Sequence, residues 1–80
     1  MKPMNLGKIR RTLLGRMAWI TARHERGYGT EASRSHSLTE FYALKTLLDA
    51  AELYDQEAYD RYLANARERL DERAESESEG

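Results

Sequence analysis

Large apolar residues in this chain recur every three or four positions, in three separate segments, without β-type alternation. That spacing belongs to the α-helix, whose turn returns residues i, i+3, i+4 and i+7 to one face. Between Asn5 and Arg26, the residues Leu6, Ile9, Leu13, Met17 and Ile20 fall within an arc of about 80°. Phe41, Leu44, Leu47, Leu48 and Ala51 define a second arc, and Tyr59, Tyr62, Leu63, Ala66 and Leu70 a third. The pattern predicts an all-α fold, either a helical hairpin or a small three-helix bundle with short connections.

Local signals set the expected boundaries. Asn5 suits an N-cap, and Gly27-Tyr28-Gly29 suits a stop, because glycine accepts the left-handed conformation that ends helices. Residues 27–36 offer little to bury and read as a polar connection. Ser37-Leu38-Thr39-Glu40 matches the capping box, in which the serine hydroxyl and the glutamate carboxylate satisfy each other's backbone amides. Asp55 is a second N-cap candidate, after a break at Tyr54-Asp55-Gln56. The expected helices are therefore about 5–26, 38–54 and 56–73 within one domain spanning 5–73. Without glycine or proline at the second junction, one continuous helix from Leu38 to about Arg73 is the alternative. Residues 1–4 read as an N-terminal tail, and 74–80, where Glu and Ser alternate, as a disordered acidic tail.

The 80 residues include no cysteine, which excludes disulfide and thiolate-zinc scaffolds. No charge-free stretch approaches the roughly 20 apolar residues of a membrane span. A core built from so short a chain is modest, and small domains often gain stability from a second copy. Tyr42, Thr46 and Leu53, on the far side of the second helix from its core arc, are the expected homodimer contacts.

The net charge of −1 conceals a division. Residues 1–36 hold eight cations against two anions, a net of +6, and residues 37–80 hold five cations against twelve anions, a net of −7. Folding either brings these halves together or presents each to a different partner.

Lys8, Arg11, Arg16, Arg23 and Arg26 share one stripe of the first helix, and Trp19 lies inside it rather than on the apolar face. Trp and Arg are the residue types enriched in binding hot spots. Docking on an acidic protein surface fits this stripe, with the indole in a pocket and the guanidinium groups paired to carboxylates. Nucleic acid, with arginines on phosphates and the indole on a base, is the alternative partner. An anionic membrane surface is a weaker fit. The competing structural reading packs Trp19 on another helix, with the arginines facing its carboxylates.

Catalytic signals are sparse. His24 and His36 stand twelve residues apart, outside any metal-ligand spacing, and no serine sits in a nucleophile elbow. Gly27-Tyr28-Gly29 lacks the lysine and preceding strand of a phosphate loop. Glu57 and Asp60 beside Arg61 resemble solvated ion-pair partners. No cofactor, metal or catalytic residue is expected. The sequence thus points to a non-enzymatic, cytoplasmic, protein-binding module acting as a regulator, inhibitor or structural accessory subunit. Its small size, missing cysteine and divided charge suit an accessory protein of a bacteriophage or mobile element, including part of a virion assembly. A nucleic-acid-binding protein and a purely self-assembling subunit are the alternatives.

Overall fold

The computed structural model describes residues 5–79, with side chains through residue 74. Helix α1 spans Leu6–Glu25, α2 Glu31–Ala50 and α3 Gln56–Glu79, with no strand among the described residues. The all-helical expectation holds in its three-helix form.

Capping chemistry explains each boundary. Asn5 Oδ1 accepts from the Lys8 amide at 3.0 Å, satisfying one of the donors that a helix start leaves free. At the other end of α1, the Gly27 amide reaches the His24 carbonyl at 3.1 Å and the Tyr28 amide the Arg23 carbonyl at 3.1 Å. This pair is the Schellman motif, and Gly27 supplies the positive φ (71°) that it requires.

Helix α2 starts earlier than the capping box suggests. Thr30 is the N-cap, its Oγ1 accepting from the Ser33 amide at 3.2 Å, and Glu31 favourably occupies the first turn. Ser37 and Glu40 lie inside the helix, so the capping-box match marks no boundary. The expected 27–36 connection shrinks because Gly27 and Gly29 concentrate the turn, and no glycine or proline follows to delay the helix.

The junction between α2 and α3 is a true break. The Glu52 amide meets the Asp49 carbonyl at 3.1 Å, and the Leu53 amide meets the Leu48 carbonyl at 2.9 Å. This repeats the Schellman geometry with Glu52, not glycine, at positive φ (59°). Asp55 Oδ1 then accepts from the Ala58 amide at 3.1 Å, the N-cap read from the sequence. Helix α3 continues to Glu79 rather than ending near residue 73, because Glu, Arg and Ala favour helix and no glycine intervenes before Gly80. The expected 1–4 tail and Gly80 lie outside the described residues.

Helix α1 is the shared element. It packs on both α2 and α3, while the backbones of α2 and α3 do not approach each other closely among the described residues. Leu14, Met17, Ala18 and Ala22 are fully buried, and Leu48, Ala58, Tyr59, Leu63, Ala66 and Leu70 complete the core cluster. Every member of the arc expected for α3 therefore faces the core or, in the case of Tyr62, packs partly against it. The α2 arc is only partly correct. Leu48 is buried and Phe41 and Leu44 are half-buried, but Leu47 is 60% exposed and Ala51 is exposed. On α1 the expected arc misses Leu14, Ala18 and Ala22 and includes Leu6, which is exposed. A helix between two neighbours buries two faces, and alanines let those neighbours come close.

One polar link crosses the core edge. Thr21 Oγ1 donates to the Met17 carbonyl at 3.1 Å and lies 2.7 Å from the Tyr59 hydroxyl, so Tyr59 is left to donate to Thr21. The Tyr59 ring also meets Phe41 edge-on at 6.4 Å between centroids, joining α3 to α2 through side chains.

Glu52 carries the backbone cost at the second junction, since a left-handed residue with a Cβ costs roughly 1–2 kcal/mol. Glu52→Gly should raise stability by about 0.5–1 kcal/mol in urea unfolding, because the αL penalty exceeds the flexibility glycine adds to the unfolded chain. An unchanged or lower unfolding midpoint contradicts this account of the junction.

Candidate functional site

The cationic stripe of α1 separates once α2 and α3 are in place. Arg16 makes a two-pronged contact with Glu40 of α2, Nε to Oε1 at 2.7 Å and Nη2 to Oε2 at 3.0 Å. Arg26 donates through Nε to Asp71 of α3 at 2.9 Å and through Nη2 to the Arg67 carbonyl at 3.3 Å. In the reverse sense, Arg67 of α3 holds Glu25 of α1 at 2.8 and 2.6 Å. These hydrogen bonds hold the Glu40 and Glu25 carboxyls below their ordinary range and raise the Arg16 and Arg67 guanidinium groups. Arg16 and Arg26 thus act partly within the molecule, tying α1 to its two neighbours. Solvent reaches all three pairs, so each adds little to stability.

Trp19 occupies the boundary between the two readings of the sequence. It is half-buried and packs against the core cluster, with the remainder of the indole facing outward. Around it the structure gathers residues from two helices and a turn. A hollow of about 240 Å³ is lined by Trp19, Arg23, Tyr28, Leu70 and Arg73. On the adjoining side, Gly15, Tyr62, Ala66 and Arg69 surround the same indole. Gly15 has nothing within 4 Å of where a Cβ would stand, which leaves that wall open.

The Arg23 guanidinium lies 6.0 Å from the centre of the Tyr28 ring, a long cation–π contact that ties the turn to α1. Among the described residues, Arg23, Arg69 and Arg73 form no ion pair with a carboxylate, in contrast to Arg16, Arg26 and Arg67. Glu72 borders the Arg69–Arg73 side of the indole. The arrangement is a half-covered aromatic anchor bordered by three arginines that form no ion pair among the described residues.

Of the residues singled out on the sequence, Trp19 and Arg23 belong to this ring. Arg16 lines a separate cleft on the α2 side of Trp19. Lys8 and Arg11 are exposed on the first half of α1, and Arg11 lies about 12 Å along the axis from Trp19 at 1.5 Å per residue. Sequence reasoning misses Tyr28, Arg69 and Arg73. Arg69 and Arg73 are spaced i,i+4 and continue the helical row through Tyr62 and Ala66, a signal hidden by the surrounding acidic residues.

The second apolar face of α2 is real in part. Tyr42 is 64% exposed and Thr46 is exposed, whereas Leu53 lies beyond the helix end and packs against the core. Leu53 therefore does not belong to that face, because the Schellman turn folds it back toward Leu48. Leu38 and Leu47 take its place as exposed apolar side chains of the helix.

Among the described residues, no group of three or more His, Asp or Glu side chains converges as a metal site. No described helix is long and apolar enough to cross a membrane. No protein-family model, curated protein or solved structure matches this chain.

Proposed function

We propose that this chain is a small non-enzymatic docking module that captures an acidic segment of a partner protein on the α1–α3 face around Trp19. The observation that carries the reading is the convergence of Arg23, Arg69 and Arg73, none paired to a carboxylate among the described residues, about a half-covered indole. A carboxylate-rich segment with one apolar side chain would satisfy both features, pairing with the fork of each guanidinium while filling the hollow beside the ring. Glu72, Glu68 and Asp71 on the same helix repel any anion, and a short segment that meets only the arginines avoids more of this repulsion than a continuous phosphate backbone does. A partner held in this way makes the chain a regulator, inhibitor or accessory subunit.

A second copy is the natural occupant of the outer face of α2. Ala32, His36, Thr39, Ala43, Thr46 and Ala50 alternate in steps of four and three, the spacing of a coiled-coil seam, and none carries a formal charge with histidine neutral. Tyr42 and Leu47 flank that row and are exposed at 64% and 60%. Antiparallel pairing would cover both and oppose the helix dipoles.

Two measurements test these readings. Arg69→Glu with Arg73→Glu should weaken binding of a Glu-rich peptide carrying a single Leu at least tenfold, read from Trp19 emission, with the far-ultraviolet helical signal unchanged. Tighter binding of a DNA or RNA strand than of the peptide at physiological salt contradicts the choice of partner. Sedimentation over a hundredfold concentration range should show a monomer–dimer equilibrium that Ala43→Glu abolishes. A single monomeric species at every concentration removes the dimer.

A further inference from the structure

On the α2 side of Trp19 lies a cleft of about 100 Å³, which shares Trp19, Arg23 and Tyr28 with the α1–α3 face and otherwise has its own walls. It is built where the end of α1 passes the first turns of α2, and its walls include Arg23, His24, Arg34 and Ser37. No carboxylate side chain lines it. Arg16 closes one end with Nε and Nη2 already committed to Glu40, and this contact fixes the guanidinium in place. Arg34 forms no ion pair among the described residues, and Glu31 lies in the adjoining hollow rather than in the cleft. Ser37 and Tyr28 also line the cleft, and their hydroxyls form no hydrogen bond among the described residues.

Two further observations single out this place. His24 Nε2 is sealed from solvent and is the one buried side-chain polar atom without a partner among the described residues. A buried polar nitrogen left unmade is costly, and one such atom calls for an explanation. The turn is also shaped to a tight tolerance. Gly29 sits at φ +92°, and a Cβ there would stand 2.7 Å from Ser33 Oγ, inside contact distance. Ser33 Oγ in turn donates to the Thr30 carbonyl at 3.1 Å, so the start of α2 is held against the glycine with no room for a side chain between them.

We propose that this cleft is a binding site for a phosphate monoester. Arg34 and Arg23 supply paired N–H donors and positive charge, and Ser37 and Tyr28 supply hydroxyl donors. The positive end of the α2 dipole adds to the same field. The His24 ring, whose last torsion is soft, turns Nε2 toward the anion and thereby satisfies the orphaned nitrogen. The cleft of about 100 Å³ has room for a phosphoryl group and is open to solvent on one side, which leaves an exit for the ester carbon. The cleft shares Trp19, Arg23 and Tyr28 with the acidic-segment face but not Arg69 or Arg73, so replacing those two arginines separates the two readings.

The test is a titration of the uniformly ¹⁵N-labelled full chain with inorganic phosphate and with O-phosphoserine, against sodium chloride at matched ionic strength. Saturable shifts at the amides of Ser33, Arg34 and Ser37 and at the His24 ring nitrogens are expected for both phosphate probes, with O-phosphoserine the tighter. Arg34→Gln should weaken O-phosphoserine at least tenfold, Ser37→Ala about threefold, and Arg69→Gln less than twofold. Tighter inorganic phosphate than O-phosphoserine would assign the cleft to a free oxyanion and overturn the ester. Shifts that grow linearly with salt, or an Arg69→Gln loss equal to that of Arg34→Gln, would reduce the effect to diffuse charge and overturn the site. Arg34 is exposed and makes no ion pair, so its replacement leaves the fold intact for the comparison.

Discussion

Everything in this molecule rests on the burial of α1 on two sides at once. Leu14, Met17, Ala18 and Ala22 lose all contact with water because α2 and α3 close over different faces of the same helix. An apolar side chain of leucine size gains about 1.5–3 kcal/mol on full burial, so such contacts dominate in a chain this small. The alanines matter as much as the large residues. They allow two helices to approach closely enough that Leu48 on one side and Leu63, Ala66 and Leu70 on the other share a single cluster with α1. α2 contributes only Leu48 to the buried core, whereas α3 contributes Ala58, Tyr59, Leu63, Ala66 and Leu70.

The polar interactions follow from that geometry. Once α1 is central, its cations face carboxylates on both neighbours, and the charge division of the chain is partly neutralised within it. Arg16 meets Glu40, Arg26 meets Asp71, and Glu25 meets Arg67. The pairs sit at the surface and set direction more than stability. What they leave over supplies the surface proposed for docking. Lys8, Arg10, Arg11, Arg23, Arg34, Arg61, Arg69 and Arg73 find no such partner among the described residues, and of these Arg23, Arg69 and Arg73 gather on the α1–α3 side of Trp19.

Much of this was legible in the residues. Apolar periodicity gave the helical class, Asn5 and Asp55 gave two N-caps, and the α3 arc from Tyr59 to Leu70 identified its core face. Two failures have separate causes. The capping box at Ser37 satisfies a pattern that also fits the interior of a helix, and the real start depended on where Gly27 and Gly29 had already spent the turn. Periodicity weighted by large side chains overlooked Ala18 and Ala22, because a helix between two others selects small residues. Trp19 was recognised, but its surroundings were not. Arg69 and Arg73 reach it only through the crossing of α1 and α3, a relation that no local pattern in an acidic segment conveys.

The account makes α1 the hub, with α2 held on one side by a lighter contact and α3 on the other by a heavier one. The proposed docking face then lies on the more strongly joined pair and the proposed phosphate cleft on the more yielding one. Native-state hydrogen exchange measures it directly, because amide protection reports the free energy of local opening. The most protected amides should lie in α1 from Leu14 to Ala22 and in α3 from Tyr59 to Leu70, with the first half of α2 exchanging at least tenfold faster. Protection in residues 31–40 equal to that in α1 would contradict the hub.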